Sequence, residues 1–428
     1  MIKFKKKLLS SILIALSVSL FTPTKATVQA AEISQPNIVG KYAVTLDYDT
    51  GEIIYAKGID EKAYPASTTK VMTSLLFAEH ASKNDSFPYT ADAKAQQPYT
   101  LNNSFGPIPV GEGMNANDLM KALLMFSAND AASVIADGVA GSAEKFSVMM
   151  NDEVKKLGLK NTHFVTPNGL HNEDHYSTAY DLAVILQNAY KNPWVSETMA
   201  LKDSDITVNG KKVLLENRNK ELGIDGNIGG KTGFTTPAGR CLVSVYERNG
   251  RKIIGAVLNS QYDAKDEIVF NDMNKIIDYS YSVDKVPYIK AGTTIDTIPV
   301  EYKLFRWFGP TKKIDVPFVA TENIDYYKNY VNEKETSKSI NLNDMNAWQL
   351  ASNPESAAVT VTQRAYVKDY PVKADIGTFT LIKANFLSYL GIIVLAIVVI
   401  VLILLIIRAI NLRKRRRRRR NICLLYTS

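Results

Sequence analysis

The sequence predicts an α/β (α+β) chain: one large domain of strands and helices, a small β-rich domain, and one C-terminal transmembrane helix. Three observations predict it. Between about 33 and 283, β-prone runs alternate with longer runs whose apolar residues fall at helical spacing. From about 286 short β-prone runs take over. Residues 386–407 carry no charge and are long enough to cross a bilayer.

The chain opens with Lys3, Lys5, Lys6 and Lys7, an apolar run over 8–21, and small residues at Val28-Gln29-Ala30-Ala31. This pattern predicts a signal peptide over 1–30, cleaved near Ala30 or Ala31. The other reading is an uncleaved anchor, for which the run is short.

The large domain is expected over 31–285. Residues 42–46 read as a strand, 49–52 as a turn and 53–56 as a second strand. Apolar Val71, Met72, Leu75 and Leu76 then predict a helix, with Ser67 in its first turn. Residues 116–140 are rich in helix formers and read as helix, with Ser127-Ala128-Asn129 inside. Further helices are expected over 143–157 and 178–190. Residues 240–245 and 252–258 predict a hairpin about Asn249-Gly250, a strong turn signal. Ile268, Met273, Ile276, Ile277 and Tyr281 predict a closing helix over 267–281.

The β-rich domain is expected over 286–382, with runs at 297–300, 313–316, 358–361 and 364–367. It carries no catalytic constellation, and the competing reading is a partly ordered stalk. The transmembrane helix is expected over 386–407 and a basic cytoplasmic tail over 408–420. Basic residues beside a span stay on the cytoplasmic side, so everything before 386 is expected outside. Residues 421–428 read as foreign to the gene: Cys423-Leu424-Leu425-Tyr426-Thr427-Ser428 back-translates into a sequencing-adapter end.

The formal net charge is +8, yet five lysines lie in the leader and nine basic residues in the tail, leaving −6 between them. The basic balance therefore says nothing about partners of the outer portion, and no basic-aromatic interleaving points to nucleic acid. With the last residues set aside, Cys241 stands alone, so no internal disulfide is expected. It lies in an apolar run and reads as a buried thiol. His80, His163, His171 and His175 form no metal-ligand spacing, and Glu173-Asp174 makes the stretch around His171 and His175 read as a solvated loop. No metal and no cofactor are expected.

Three short motifs carry chemistry. In Ser67-Thr68-Thr69-Lys70 the hydroxyl and the amine share a helix face at i and i+3. A serine needs a base, and a lysine serves when burial and neighbours lower its pKa. Alone, this motif reads equally well as a capped helix with a surface lysine. Ser127-Ala128-Asn129 and Lys231-Thr232-Gly233 follow in order, and the triplet together is a strong signal.

The sequence resembles the low-molecular-mass penicillin-binding proteins, the serine D-alanyl-D-alanine carboxypeptidases of family S11. Beyond the triplet, Asp49-Thr50-Gly51, Ser127-Ala128-Asn129-Asp130-Ala131-Ala132, Thr162-His163-Phe164-Val165-Thr166-Pro167-Asn168-Gly169-Leu170 and Thr178-Ala179-Tyr180-Asp181-Leu182 resemble family landmarks. The resemblance covers about 33–283. It implies an antiparallel sheet flanked by helices plus an all-helical lobe, with the active site between them. It further implies that Ser67 attacks the carbonyl between the terminal D-alanines of a peptidoglycan stem peptide, that Lys70 takes its proton, and that Ser127 relays a proton to the leaving amine. Asn129 would bond the substrate amide, Lys231 add positive charge, Thr232 bond the free carboxylate, and Gly233 let the substrate backbone lie along a strand. The backbone N–H groups of Ser67 and Phe234 would form the oxyanion hole, and Arg218 matches a family arginine near the carboxylate. β-Lactams are implied as inhibitors.

Two alternatives stand beside this. A class A β-lactamase shares the motifs but adds a deacylating glutamate after S-x-N, where the sequence offers only Glu173. A catalytically silent wall-binding homologue would keep the fold without the reaction.

Overall fold

The computed structural model describes residues 33–425; the expected leader and residues 426–428 lie outside them. The central sheet is built from β1 (Tyr42–Asp47), β2 (Ile53–Lys57), β3 (Asn227–Thr235), β4 (Gly239–Arg248) and β5 (Arg251–Ser260). It is antiparallel throughout, in the order β2-β1-β5-β4-β3, so β3 is an edge strand. Asn249 and Gly250, at φ +52° and +77°, close the β4–β5 hairpin in the left-handed conformation such a two-residue turn requires.

Strand alternation sorts the sheet's two faces. Val44, Val243, Val245, Ile254, Ala256 and Leu258 face a core shared with α1 (Lys70–His80), α2 (Asn129–Ala140), α3 (Ala143–Lys156) and α4 (Ala179–Tyr190). Ala43, Leu242, Ile253 and Val257 face α5 (Ile268–Ser282) through Val269, Phe270, Met273, Ile276 and Ile277. The first eight residues of α1 are all buried, Lys70 among them, so α1 runs through the core rather than along the surface.

The 116–140 stretch is not one helix. It forms a short helix Ala116–Lys121, a π turn Ala122–Phe126, a break at Ser127-Ala128, and then α2. Tertiary bonds override propensity at the break. Asn129 N–H donates to the Tyr99 carbonyl (2.9 Å), and the Asp130 carboxylate accepts from the N–H groups of Leu101 and Asn102 (3.0 and 3.1 Å) and from the Tyr89 hydroxyl (3.0 Å). Pinning the chain there requires it to leave the helix path.

The second half is a folded five-stranded antiparallel sheet, not a loose stalk. Its strands are β6 (Thr294–Lys303), β7 (Thr311–Ala320), β8 (Ser337–Asn341), β9 (Ala357–Gln363) and β10 (Tyr366–Ala374), in the order β6-β7-β10-β9-β8. One face buries Val300, Val316, Phe318, Val359, Val361 and Val372 against Trp348, Leu350 and Leu381. The run at 364–367 is half turn: Arg364, at φ +50°, precedes β10. Its guanidinium instead joins Asp60 of the first half to Glu335. A short helix, α6 (Tyr330–Glu335), lies between β7 and β8, and the last helix, α7, runs Phe386–Leu425.

The segment around α6 returns to the first core. Val331 packs in the helix-facing cluster and Tyr327 in the α5-facing one. Asn329 and Asn332 both donate side-chain N–H groups to the Ile53 carbonyl on edge strand β2 (2.9 and 2.8 Å). This caps part of an edge that would otherwise expose backbone polar groups. Asn329 also accepts from the N–H groups of Val331 and Asn332, capping α6. Replacing Asn329 with Ala leaves buried donors without partners, for which the typical cost is about 1–3 kcal/mol. Urea unfolding of Asn329→Ala should show a lower midpoint, corresponding to an unfolding free energy reduced by that amount, with no change in the site's reactivity.

Candidate active site

Ser67 lies on a 3₁₀ turn, Ala66–Thr69, that feeds α1. Ala66 before it is held at φ +48°, a left-handed conformation that costs a non-glycine residue about 1–3 kcal/mol. What holds it is close packing on both sides. A Cβ on Gly169 would lie 1.9 Å from the Ala66 carbonyl oxygen, and a Cβ on Gly233 would lie 3.0 Å from Ser67 N and from the Pro65 carbonyl oxygen. Only glycine lets the 165–170 loop and strand β3 approach the turn this closely. The Thr68 hydroxyl ties back to the Pro65 carbonyl at 2.6 Å.

Lys70 begins α1 beneath Ser67 and is fully buried. Its Nζ lies 2.9 Å from Ser67 Oγ, 2.8 Å from Asn129 Oδ1 and 2.7 Å from the Asn168 carbonyl oxygen. The two oxygens of Asn129 and Asn168 can only accept. A neutral amine has two N–H groups, and these two acceptors use both. The remaining lone pair then faces the Ser67 hydroxyl, which donates to it. Burial, then the positive charge of Arg218, lowers the Lys70 amine to about 7, against a smaller opposing pull from Asp130. Near neutral pH a large fraction of it is therefore a free base.

Lys231 is buried as well, and donates to Ser127 Oγ (2.9 Å) and to the Thr232 carbonyl (3.0 Å). Burial, followed by Lys70, Arg218 and Arg240, drives its amine well below the ordinary lysine value. Arg218 stands beside the two buried amines as a guanidinium, a cation at any physiological pH. Arg218 stacks over Tyr99 and Phe126, 4.9 and 4.8 Å from the ring centroids. Ser127 takes φ +71° at the end of the π turn. The break in the helix is what presents its hydroxyl to the cleft.

Ser67, Ser127, Arg218, Thr232, Gly233 and Phe234 line one cleft of about 740 Å³, with Lys70, Asn129 and Lys231 buried beneath. All nine sequence-predicted site residues thus converge on one place. The free edge of β3 forms one wall, where an extended peptide can add as a further strand. Arg240, ion-paired to Asp266, reaches the Gly233 carbonyl at 3.5 Å and holds the far end of that wall.

Other contributors carry no motif of their own. Asn168 acts through its backbone carbonyl, which no side-chain pattern reveals, although Pro167-Asn168-Gly169 is a turn signal. His175, expected in a solvated loop, is buried and bonded on both nitrogens. Its Nδ1 accepts from the N–H groups of Val165 and Thr166 (3.0 and 3.2 Å), so Nε2 carries the proton and donates to Thr69 Oγ1 at 2.8 Å. The loop bearing Asn168 is thereby tied to the turn bearing Ser67. Burial holds this ring neutral, its pKa lowered to about 3. Cys241 is a free, buried thiol whose pKa burial raises to about 11. Glu173 is exposed and lines a different cleft, beside Tyr64 and Tyr176. Among the described residues no cluster of His, Cys, Asp and Glu could hold a metal ion.

Comparison with known proteins places this geometry. The Peptidase S11 family model, described as D-alanyl-D-alanine carboxypeptidase, matches residues 29–262. The D-alanyl-D-alanine carboxypeptidase DacF of Bacillus subtilis is 30% identical over 303 residues, 69% of this chain and 76% of that protein. DacC of Escherichia coli is 32% identical over 310 residues, 69% of this chain and 73% of that one. Among solved structures, the Streptomyces K15 DD-transpeptidase superposes with a TM-score of 0.54 at 27% identity, covering 59% of this chain and 100% of its own.

The charge of Arg218 beside Lys70 has a measurable consequence. The rate of Ser67 acylation by a fluorescent penicillin should rise with pH through a limb near 7, as Lys70 loses its proton. In Arg218→Gln one positive neighbour is gone, the protonated amine is less disfavoured, and the limb should move to higher pH. An unmoved limb would remove Arg218 from the account.

Proposed function

The chain belongs to the D-alanyl-D-alanine carboxypeptidase family, Peptidase S11, and we propose that it removes the terminal D-alanine from peptidoglycan stem pentapeptides through an acyl-enzyme on Ser67. The observation that carries this reading is the buried Lys70 Nζ, 2.9 Å from Ser67 Oγ and held by Asn129 Oδ1 and the Asn168 carbonyl at 2.8 and 2.7 Å.

The peptide lies along β3 with its free carboxylate toward Thr232 and Arg218. Lys70 accepts the Ser67 proton as Oγ bonds to the carbonyl carbon of the penultimate D-alanine. Charge on the carbonyl oxygen is met by the N–H groups of Ser67 and Phe234; losing one such donor typically costs ~2.7–4 kcal/mol. Ser127, bonded to Lys231, passes a proton to the leaving D-alanine nitrogen as the C–N bond breaks and takes the Lys70 proton in its place, which leaves Lys70 neutral again. Asn129 keeps Lys70 in place and offers its remaining polar capacity to the substrate amide. Water then enters, Lys70 takes its proton as the oxygen adds to the ester carbonyl, and returns that proton to Ser67 Oγ as the ester C–O bond breaks and the tetrapeptide leaves. A stem without its last D-alanine can no longer donate an acyl group to a cross-link, so the reaction limits cross-linking.

β-Lactams mimic the scissile amide and acylate the same serine. Glu173 lies outside the Ser67 cleft, so no glutamate supplied by that loop activates water against a penicilloyl ester. This supports a carboxypeptidase over a β-lactamase. Purified full-length chain in detergent should release D-alanine from a pentapeptide ending in D-Ala-D-Ala, and Ser67→Ala should release none. Intact mass should show a penicilloyl adduct that outlasts many turnovers of the peptide. Rapid loss of the adduct with drug turnover would favour the lactamase.

Among the described residues one helix is long and apolar enough to cross a membrane, and only the short helix Thr378–Ala384 separates it from the β-rich sheet. We place residues 386–407 across the cell membrane, with 408–420 in the cytoplasm and the sheet and catalytic domain on the wall side. At 1.5 Å per residue these 22 residues extend about 33 Å, near the hydrocarbon thickness. Arg408 and the basic run beyond it support this sidedness. Leu381 and Asn385 are buried in the second domain, so a soluble form must retain them. A chain ended after Asn385 should appear in the medium with its peptide hydrolysis intact; one that stays membrane-bound would show that the helix is not the anchor.

A further inference from the structure

The turn between β6 and β7 carries Phe305-Arg306-Trp307-Phe308. Trp307 is 79% exposed and Phe308 65%, the largest aromatic exposure in the second domain apart from Phe379 at 76%. Phe379 lies on the short helix Thr378–Ala384 that leads straight into α7. Water-exposed aromatic rings in such a group are costly unless something covers them.

The turn's position is fixed by the helix itself. The Tyr389 hydroxyl, in the first turn of α7, donates to the Leu304 carbonyl at 2.7 Å, and its ring lies 5.8 Å from that of Phe305. Phe305 in turn stacks on Phe308 at 5.1 Å. Lys312 Nζ on β7 donates to Asn385 Oδ1 and Ser388 Oγ, and Asn385 donates to the Tyr302 hydroxyl. The aromatic turn is thus locked level with the start of the apolar helix. Arg306 reaches over the Trp307 ring, 5.4 Å from its centroid, adding a cation to the same surface.

We propose that this turn, with Phe379, is a second membrane contact: Trp307 and Phe308 enter the headgroup and upper acyl region of the outer leaflet, and Arg306 meets lipid phosphates. The inference rests on residues 386–407 spanning the bilayer. If they do, surfaces level with residue 389 lie at the interface, where tryptophan's amphipathic ring is favoured. The occupant is therefore the bilayer the helix already crosses.

Full-length chain in vesicles of phosphatidylcholine and phosphatidylglycerol tests it. Trp194 and Trp348 are buried, so the difference between wild type and Trp307→Phe isolates the Trp307 emission; circular dichroism checks that the variant is folded. The chain should float with the vesicles. The difference emission should be blue-shifted, should lose most of its intensity when the acyl chains carry bromine, and should resist aqueous iodide. A chain that does not float overturns the spanning helix and this contact with it. A chain that floats while Trp307 is quenched by iodide and not by bromolipid overturns the contact alone. Shielding from both quenchers, which would place a second copy over the turn, also overturns it.

Discussion

The removal of Lys70 from water is the constraint on which the rest of the structure depends. An amine in the middle of a protein costs too much as an uncompensated ion, so it must be neutralised, paired or hydrogen-bonded. Here it is bonded three ways, and each bond recruits a different part of the fold: the 3₁₀ turn that carries Ser67, the start of α2, and the 165–170 loop. Each recruited part is then secured separately. Asp130 pins the start of α2, His175 and Thr73 pin the loop, and two glycines let the loop and β3 close on the Ser67 turn. The backbone strain at Ala66 and Ser127 is tolerated because the surroundings are over-determined in this way.

The sequence was most legible where chemistry repeats locally. Ser67 and Lys70 lie a helical turn apart, the Asn249-Gly250 turn announces its hairpin, and α5 follows from its apolar spacing. It was least legible where distant segments decide the geometry. The helix break at Ser127 cannot be read from residues 116–140, all acceptable in a helix, because its cause is the segment at 99–102. The Asn168 carbonyl is backbone and leaves no trace in side-chain types. His175 sits beside Glu173 and Asp174, whose charge suggested solvent, yet the chain turns its ring inward to collect two N–H groups. That Lys231 is buried beneath the cleft, bonded to Ser127, depends on the fold around strand β3 and not on its own motif.

The two halves are joined by polar contacts at an edge and by Val331 and Tyr327, which pack into the first half's apolar clusters. Ile53 offers its carbonyl to two asparagines, Glu52 takes Lys285, and Arg364 spans Asp60 and Glu335. Residues 327–335 lie within the second half of the chain and still complete the first half's packing, so a line drawn through the sequence at its change of texture does not coincide with the line where packing changes.

The lock between the β6–β7 turn and the first turn of α7 has a kinetic corollary. A long flexible tether would let the Ser67 cleft sample a volume of cell wall above its anchor. With Tyr389, Asn385 and Ser388 all bonded into the second sheet, the last domain and the helix form one lever. On the placement proposed above, its pivot would lie in the bilayer, the cleft would work at a nearly constant altitude, and its search for stem peptides would become two-dimensional, set by lateral diffusion beneath the wall. Stems beyond that layer would escape trimming until growth carried them through it.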